Sequence, residues 1–248
     1  MKIDNLQVSI SVTREEMGKV ASKDIVKIIK EIISKKGEVN MIFAAAPSQN
    51  DVLSELVLSD ADWSKVNAFH MDEYLGLSSF APQRFSNFLC EHIFNHLPFK
   101  SVNLIDCSNP SAEDECERYS NLLKQFPVDI VLLGIGENGH IAFNDPCVAD
   151  FNDKVLVKQV VLDEVCRQQQ VNDKCFDNIS EVPKRALTLT IPALFRAKYM
   201  FCVVPAKTKA WAVKETLTGI IDEHCPASIL RRHNHAVLYL DRDSASML

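Results

Sequence analysis

Apolar residues near the start of the chain recur at the spacing of an amphipathic helix. The residues that follow this spacing are Val20, Ile25, Ile28, Ile29, Ile32 and Ile33. They would form one buried face. Thr13 followed by Glu16 is typical of a capping box, and Gly37 is a suitable C-terminal stop. The pattern predicts a helix that begins after Thr13, ends before Gly37 and packs one face on the core.

Short apolar runs typical of buried strands alternate with segments long enough for helices. The runs are Val39–Ala45, Lys65–Phe69, Val102–Ile105, Val128–Leu133, Val155–Val161, Tyr199–Val204 and Ala236–Leu240. This order predicts a mostly parallel sheet with helices on both faces, a three-layer Rossmann-like α/β fold. The sequence contains no internal repeat, low-complexity tract or linker, so we predict that residues 1–248 form a single domain.

Three of these strands are followed by segments rich in glycine or polar residues. The segments are Ala44–Asn50, His70–Tyr74 and Gly134–Asp145. In an open parallel sheet the ligand crevice lies beyond the C-terminal ends of the strands. We therefore expect residues that are distant in sequence to meet in one site at this edge.

The segment after Val128–Leu133 contains three of the protein's seven glycines, Gly134, Gly136 and Gly139. Glycine allows positive φ and close approach of the backbone to a ligand, and His140 follows directly. A dinucleotide-binding interpretation of this Gly-x-Gly-x-x-Gly pattern fits poorly. No clean helix follows it, and no acidic strand end comes about 20 residues later. His140 taken alone could equally be a polar residue in a tight turn.

Two adjacent acids, Asp72 and Glu73, follow the predicted strand Lys65–Phe69. Acids at a strand end usually belong to a solvated loop. In a cleft, however, one carboxylate is a suitable base for removing a proton from a carbon next to a carbonyl. The functional interpretation therefore depends on Asp72 and the glycine segment lying together.

Composition limits the classes of partner. The 27 Lys+Arg and 33 Asp+Glu residues give a net charge of -6 without a basic cluster, which argues against nucleic acid. The first residues lack the apolar core of a signal peptide, and no apolar run is long enough to span a bilayer. We expect no membrane partner and a cytoplasmic location.

The eight cysteines show no C-x-x-C pair and no zinc-ligand spacing with histidine, so we expect reduced thiols and no metal site.

Two motifs together carry a family resemblance. FHMDEY at residues 69–74 and LGIGENGHIAFNDP at 133–146 resemble the glucosamine-6-phosphate deaminase (isomerase) family, which shares a fold with the 6-phosphogluconolactonases. The likeness continues through VPKRALTLTIPALFRAK and AKTKAWAV. It implies an aldose-to-ketose isomerisation with deamination, from glucosamine 6-phosphate to fructose 6-phosphate and ammonia. The implied partner is a small phosphosugar, and no organic cofactor is needed.

The resemblance implies roles for four residues. Asp72 matches the base that moves a proton between C2 and C1, and His140 matches the group that assists ring opening. Asp145 matches the carboxylate that orients His140, which is commonly Glu, and the shorter side chain predicts a contact bridged by water. Asn138 matches a position that can be Asp, and its amide can form hydrogen bonds without supplying negative charge.

Other residues are candidates for substrate binding. Glu73, Gly136 and Gly139 belong to the two motifs and are assigned to substrate contacts. Lys209 matches a lysine that reaches the phosphate in the family. Lys174 falls where the family usually has arginine, so it keeps the charge but loses the two-point fork.

The loop after Val39–Ala45 departs from the Gly- and Thr-rich phosphate turn of the family. Pro47 has no N–H to donate, and Asp51 places a negative charge near the start of the next helix. We therefore expect weak anion binding here, with Ser48 as a remaining donor. The departures leave three alternatives open: an isomerase for another hexosamine phosphate, a 6-phosphogluconolactonase-like hydrolase, and a non-catalytic phosphosugar-binding regulator. A homo-oligomer is also open.

Overall fold

The N-terminal helix forms as its sequence pattern predicts. In this computed structural model the protein is described over residues 1–108 and 111–248. Helix α1, Arg14–Lys36, begins after Thr13, whose hydroxyl accepts a hydrogen bond from Glu16 N at 3.2 Å. The helix ends at Gly37, which has φ 84°. This left-handed conformation favours glycine, so the predicted stop is confirmed.

The remaining elements alternate along the chain. The other helices are α2 Asn50–Val57, α3 Phe85–Leu89, α4 Ala112–Gln125, α5 Glu164–Asn172, α6 Ile191–Phe195 and α7 Ala210–Thr218. The strands are β1 Lys2–Ile3, β2 Leu6–Ile10, β3 Val39–Phe43, β4 Val66–His70, β5 Asp72–Tyr74, β6 Ser101–Asn103, β7 Ile130–Leu133, β8 Val157–Val161, β9 Arg185–Leu189, β10 Tyr199–Val204 and β11 Ala236–Leu240. Over the described residues, no helix is both long and apolar enough to cross a bilayer.

Within the described residues, eight strands form one sheet in the order β1-β2-β11-β10-β7-β3-β4-β6. The β1–β2 pair is antiparallel and the other neighbouring pairs are parallel. In the central register, Ile42 stands opposite both Val131 and Phe69. The predicted mostly parallel α/β sheet is confirmed.

Both faces of this sheet are buried. Met41 and Phe43 of β3 pack in one hydrophobic cluster, whereas Ile42 and Ala44 pack in the other. Successive side chains of a strand point to opposite faces, so the two clusters lie on the two sides of the sheet. Burial on both sides explains why these strands are continuous apolar runs in the sequence.

One predicted strand was placed wrongly. The run Val155–Val161 forms β8, but β8 belongs to a second, antiparallel sheet with the order β5-β9-β8. Its central partner, β9, was not predicted. Gln159 and Val161 of β8 are exposed whereas Val157 and Val160 are buried, so this strand has one solvated face. Antiparallel strands tolerate such exposure and parallel central strands do not.

The sheet order brings the polar segments together. β10, β7, β3 and β4 are consecutive in the main sheet and run parallel. The loops that follow them therefore share the C-terminal edge of the sheet. This confirms that the three segments singled out in the sequence converge, and it adds the loop after β10.

Candidate active site

A cavity opens at this edge of the sheet. It lies beyond the C-terminal ends of parallel strands, where open α/β sheets bind their ligands. Its wall is formed by the loops after β3, β4, β7 and β10 together with the C-terminal half of α5 and Phe85. The polar side chains on the wall are those of Ser48, Gln49, Asp72, His140, Gln169, Gln170 and Lys209.

Asp72 is held in the cavity wall at the start of β5. Asp72 pairs with Thr188 in the antiparallel sheet, and this pairing fixes its backbone. The residue is 5% exposed. Burial, and secondly the neighbouring charge of Glu73, raise the pKa of Asp72 well above its ordinary value. A carboxylate that holds a proton more firmly is a stronger base, which suits proton transfer on carbon.

The neighbouring Glu73 has a different role. Its fully buried carboxylate accepts hydrogen bonds from Phe85 N at 3.0 Å, Ser86 N at 2.9 Å and Ser86 Oγ at 2.6 Å. Tyr74 N donates a further bond at 2.9 Å. Glu73 is not among the described residues that line the cavity. The geometry therefore assigns it to holding the start of α3, not to the substrate contact expected from sequence.

His140 is oriented by two neighbouring side chains. Its Nδ1 lies 3.1 Å from Asp145 Oδ1 and 2.7 Å from Asn138 Oδ1. The direct contact replaces the water bridge expected for the shorter aspartate. Both oxygens are acceptors, so a neutral His140 carries its proton on Nδ1 and keeps the Nε2 lone pair free. Nε2 is then the nitrogen available to accept a proton.

Asn138 connects this histidine to α5. Its amide nitrogen donates to Asp145 Oδ1 and to Asp163 Oδ2, each at 3.0 Å. Asp163 also caps α5 by accepting from Cys166 N at 2.6 Å. Burial raises the pKa of Asp145, but hydrogen bonds from His140 and Asn138 outweigh it, and the net pKa is lowered. Asp145 is therefore an ionised partner for His140.

Only one of the two predicted glycine contacts reaches the cavity wall, among the described residues. Gly136 lies against the His140 ring, and a Cβ there would stand 2.1 Å from Cε1 of that ring. Gly139 has φ 83° and faces Cys225, where a Cβ would stand 2.7 Å from Sγ. Gly139 therefore makes the turn that returns the chain to His140, and Gly136 leaves room for the imidazole.

Asp51, the acidic residue that follows the loop after β3, forms an ion pair with Arg14. Arg14 donates from Nε to Asp51 Oδ2 at 2.7 Å and from Nη2 to Pro47 O at 3.2 Å. Ser48 and Gln49 line the cavity, and Gln49 Nε2 donates to Ser48 Oγ at 3.1 Å. The negative charge of Asp51, which argued against anion binding, is thus balanced by Arg14 of α1.

Lys209 is a buried cation in the cavity wall. It lies in the short turn Lys207–Lys209 after β10 and is 4% exposed. Its Nζ has no hydrogen-bond partner within residues 1–108 and 111–248. Burial lowers the pKa of Lys209, and the carboxylates of Asp173 and Glu137 partly oppose this shift. A buried cation without a partner is costly, which points to an anionic ligand.

Lys174 is not brought into this cavity. It lines a neighbouring depression beside Pro47 and Gln170, and its backbone has φ 60°. The depression shares Ala45, Ala46, Phe85 and Gln170 with the cavity. Lys174 is thus next to the site and not in its wall.

Three glutamines of the cavity wall are not among the site residues predicted from the sequence. Gln49 Oε1 is buried without a partner among the described residues, while Gln169 Oε1 accepts from Glu137 N at 2.8 Å. Gln170 lines both the cavity and the neighbouring depression. The run of three glutamines at 168–170 is the sequence signal that could have revealed Gln169 and Gln170.

Gly136→Ala is expected to reduce turnover by about 100-fold, because the added methyl forces the His140 ring away from Asp145 and small misplacements are costly. Steady-state kcat and thermal melting measure the two effects. Gly37→Ala is the matched control. No atom lies within 4 Å of its new Cβ, but φ is 84°, so this variant loses stability and keeps kcat. Normal turnover in Gly136→Ala would contradict the role given to the imidazole.

Comparison with known proteins shows the family of the chain. Residues 12–239 match the family described as glucosamine-6-phosphate isomerases/6-phosphogluconolactonase. The glucosamine-6-phosphate deaminase of Listeria monocytogenes serotype 4a (strain HCC23) is 37% identical over 228 residues, which cover 92% of this chain and 95% of that protein. The deaminase of Bacillus cereus (strain G9842) is 34% identical over 242 residues, covering 98% and 89%.

Solved structures show the same relationship. A structure described as a monomeric glucosamine-6-phosphate deaminase has a TM-score of 0.90 and 30% identity, covering 98% of this chain and 100% of that one. The 6-phosphogluconolactonase of Thermotoga maritima has a TM-score of 0.78 and 19% identity, covering 95% and 99%, and so shares the fold. The chain therefore belongs to the family of glucosamine-6-phosphate isomerases and 6-phosphogluconolactonases.

Proposed function

We propose that the protein converts glucosamine 6-phosphate and water to fructose 6-phosphate and ammonia. One observation carries the proposal: Asp72, His140 and the buried Lys209, whose ammonium has no partner among the described residues, line the same cavity. A base for carbon, a group for proton exchange and a cation for phosphate are the three functions that this reaction requires. The names of the relatives support the same substrate.

Ring opening is the first step of the proposed reaction. The Nε2 lone pair of His140 accepts the proton of the anomeric hydroxyl as the bond from C1 to the ring oxygen breaks. The proton is then returned to the ring oxygen, which becomes the C5 hydroxyl. Asp145 and Asn138 hold the imidazole during this exchange, through contacts of 3.1 and 2.7 Å to Nδ1. The product is the open-chain amino aldose.

Isomerisation and deamination follow. Asp72 removes the proton from C2, and the electrons move to the aldehyde carbonyl to give an enol-type intermediate. The enol oxygen gains a proton while the amino nitrogen loses one through solvent, and return of the C2 proton to C1 leaves a ketose imine at C2. Water adds to this imine and ammonia leaves, so one water is consumed for each ammonia released. Asp72 thus takes part in two proton transfers, from C2 and to C1. Its burial limits exchange of the transferred proton with solvent.

The phosphate is proposed to lie between Ser48 and Lys209. Both line the cavity, and the Lys209 ammonium lacks a partner in the described part of the chain. Asp51 is paired with Arg14, so it opposes an anion less than the sequence alone indicated. The glycine-free loop thus keeps a hydroxyl donor and gains a nearby cation.

An assay with two products tests the proposal. Purified protein is incubated with glucosamine 6-phosphate, and ammonia and fructose 6-phosphate are measured separately. We expect equal amounts of both. Glucosamine without phosphate is the matched control and should react poorly. Ammonia formed without the ketose would exclude the isomerisation mechanism.

The same preparation distinguishes the alternatives. Galactosamine 6-phosphate tests the choice of sugar epimer, and acid release from 6-phosphogluconolactone tests the hydrolase alternative. Thermal stabilisation by these phosphosugars without any turnover would identify a non-catalytic binding regulator instead. The two acid–base groups in the cavity favour the deaminase over that regulator.

Location and assembly are proposed by analogy. We propose a cytoplasmic location, as expected from the sequence. We also propose a single domain, because both core clusters pack on the same central sheet. The structural relative with 30% identity is described as monomeric, which favours a monomer over the homo-oligomer left open by the sequence. Sedimentation velocity at the mass of a single chain would support the monomer, and a larger mass would favour the oligomer.

A further inference from the structure

Cys166 lies next to the His140–Asp145 pair and has no part in the proposed reaction. It is in the first turn of α5, where Asp163 fixes its backbone N at 2.6 Å. Ligand atoms of His140, Asp145 and Cys166 all lie within 4.8 Å of one another. His140 is 8% exposed, and Asp145 and Cys166 are 0% exposed. The cluster is therefore buried behind the cavity wall.

We propose that His140, Asp145 and Cys166 form an inhibitory site for a thiophilic divalent cation such as Zn²⁺. Imidazole nitrogen, carboxylate oxygen and thiolate sulfur are the ligand types that zinc takes in proteins. The fourth position of a tetrahedral ion would be filled by water from the cavity that His140 lines. The site would thus be open to solvent on one side.

The geometry needs only a small adjustment. Bond lengths of about 2.0–2.3 Å place the ligands of a tetrahedral zinc ion roughly 3.3–3.7 Å apart. His140 Nδ1 and Asp145 Oδ1 already stand 3.1 Å apart. Because the ligand atoms all lie within 4.8 Å of one another, the sulfur must approach by at most about 1 Å.

Binding exchanges a proton for the metal. The Cys166 thiol releases its S–H proton to solvent as the sulfur–metal bond forms, and the His140 proton moves from Nδ1 to Nε2 so that Nδ1 can bind. The contact between Nδ1 and Asn138 Oδ1, now 2.7 Å, is lost. Nε2 then no longer offers a lone pair. Inhibition of ring opening follows from this change, and that consequence rests on the proposed function.

The ligand set could not be recognised from local sequence spacing. His140 and Asp145 belong to the loop after β7, whereas Cys166 lies one strand later, on α5. Zinc motifs in sequences are recognised from ligand pairs two to five residues apart. The sequence expectation of no metal site was based on that spacing and does not apply to ligands that only the fold brings together.

Cadmium binding tests the site without any substrate. Cd²⁺ is the probe, because a cadmium–thiolate bond gives a charge-transfer absorption in the ultraviolet. Chelator-treated protein carrying Cys147→Ala, which removes an exposed thiol, is titrated with CdCl₂. We expect an absorption that saturates at a single equivalent and is displaced by ZnCl₂. Adding Cys166→Ala should abolish it, and the matched change of another buried thiol, Cys202→Ala, should preserve it.

Each outcome decides the proposal. Absence of the absorption in the starting protein, or its persistence with Cys166→Ala, would overturn the site. Asp145→Asn is the second variant, should Cys166→Ala fold poorly, and its affinity for Cd²⁺ should be at least about tenfold weaker. Unchanged affinity there would also overturn the site. Because these readouts are binding, failure of the deaminase proposal leaves them intact. Inhibition of turnover by ZnCl₂, relieved by Cys166→Ala, tests only the functional consequence.

Discussion

Asp72→Asn is expected to lower kcat for glucosamine 6-phosphate by about 10²–10⁴-fold, the range typical of a lost general base. The amide has nearly the same shape as the carboxylate but cannot accept the C2 proton. Binding should persist, because Lys209 and Ser48 are unchanged in the same cavity. Thermal stabilisation by glucosamine 6-phosphate measures that binding independently of turnover. Unchanged turnover would remove Asp72 from the mechanism.

The same variant should be more stable than the wild type near neutral pH. Burial raises the pKa of Asp72, so the folded state prefers the protonated acid. The stability that this group contributes is present below its unfolded pKa and is lost as the pH rises through the raised folded pKa. The buried charge therefore destabilises the protein at neutral pH. Asparagine removes this penalty, and the melting temperature should rise.

Glu73→Gln is the matched control because it changes the adjacent buried acid. The Glu73 carboxylate accepts hydrogen bonds from Phe85 N, Ser86 N and Ser86 Oγ at 2.6–3.0 Å. An amide cannot accept all of these bonds with its nitrogen, so the melting temperature should fall. The kcat of the folded protein should fall far less than in Asp72→Asn. Equal losses in the two variants would mean that Asp72 acts through structure.

Local signals in the sequence predict the elements that depend on neighbours along the chain. Thr13 and Gly37 set the bounds of α1 through a side-chain cap and a positive φ, both of which a short stretch of sequence specifies. The central strands are recognisable because burial on both faces leaves them apolar throughout. The sheet to which β8 belongs depends on pairing with β9, which lies 24 residues beyond the end of β8 by sequence number. A short stretch of sequence does not specify such pairing.

The candidate site shows the same limit. Asp72 and His140 are recognisable because each directly follows an apolar strand or a glycine turn. Glu73 has the same local context as Asp72, but strand alternation turns successive side chains to opposite faces. Gln49 joins the site through a contact with another loop, at Val203 O. Residues placed by tertiary contacts were therefore the ones missed.

Lys209→Met is expected to raise KM for glucosamine 6-phosphate by about 10–100-fold, the effect of losing one charged hydrogen bond to phosphate. Methionine keeps most of the stem that fills the cavity wall but has no ammonium. The reacting groups Asp72 and His140 are untouched, so kcat should change much less than KM. A loss confined to kcat would contradict the phosphate role of Lys209.

The variant should also be more stable than the wild type in the absence of ligand. Burial lowers the pKa of Lys209, so the folded state disfavours its charged form, and Nζ has no hydrogen-bond partner within the described residues. Removing the ammonium removes that cost, which raises the melting temperature. Inorganic phosphate should stabilise the wild type and not Lys209→Met. Lys207→Met, an exposed change in the same turn, should keep the phosphate response. If the buried lysine were only structural, its loss would lower stability and leave that response unchanged.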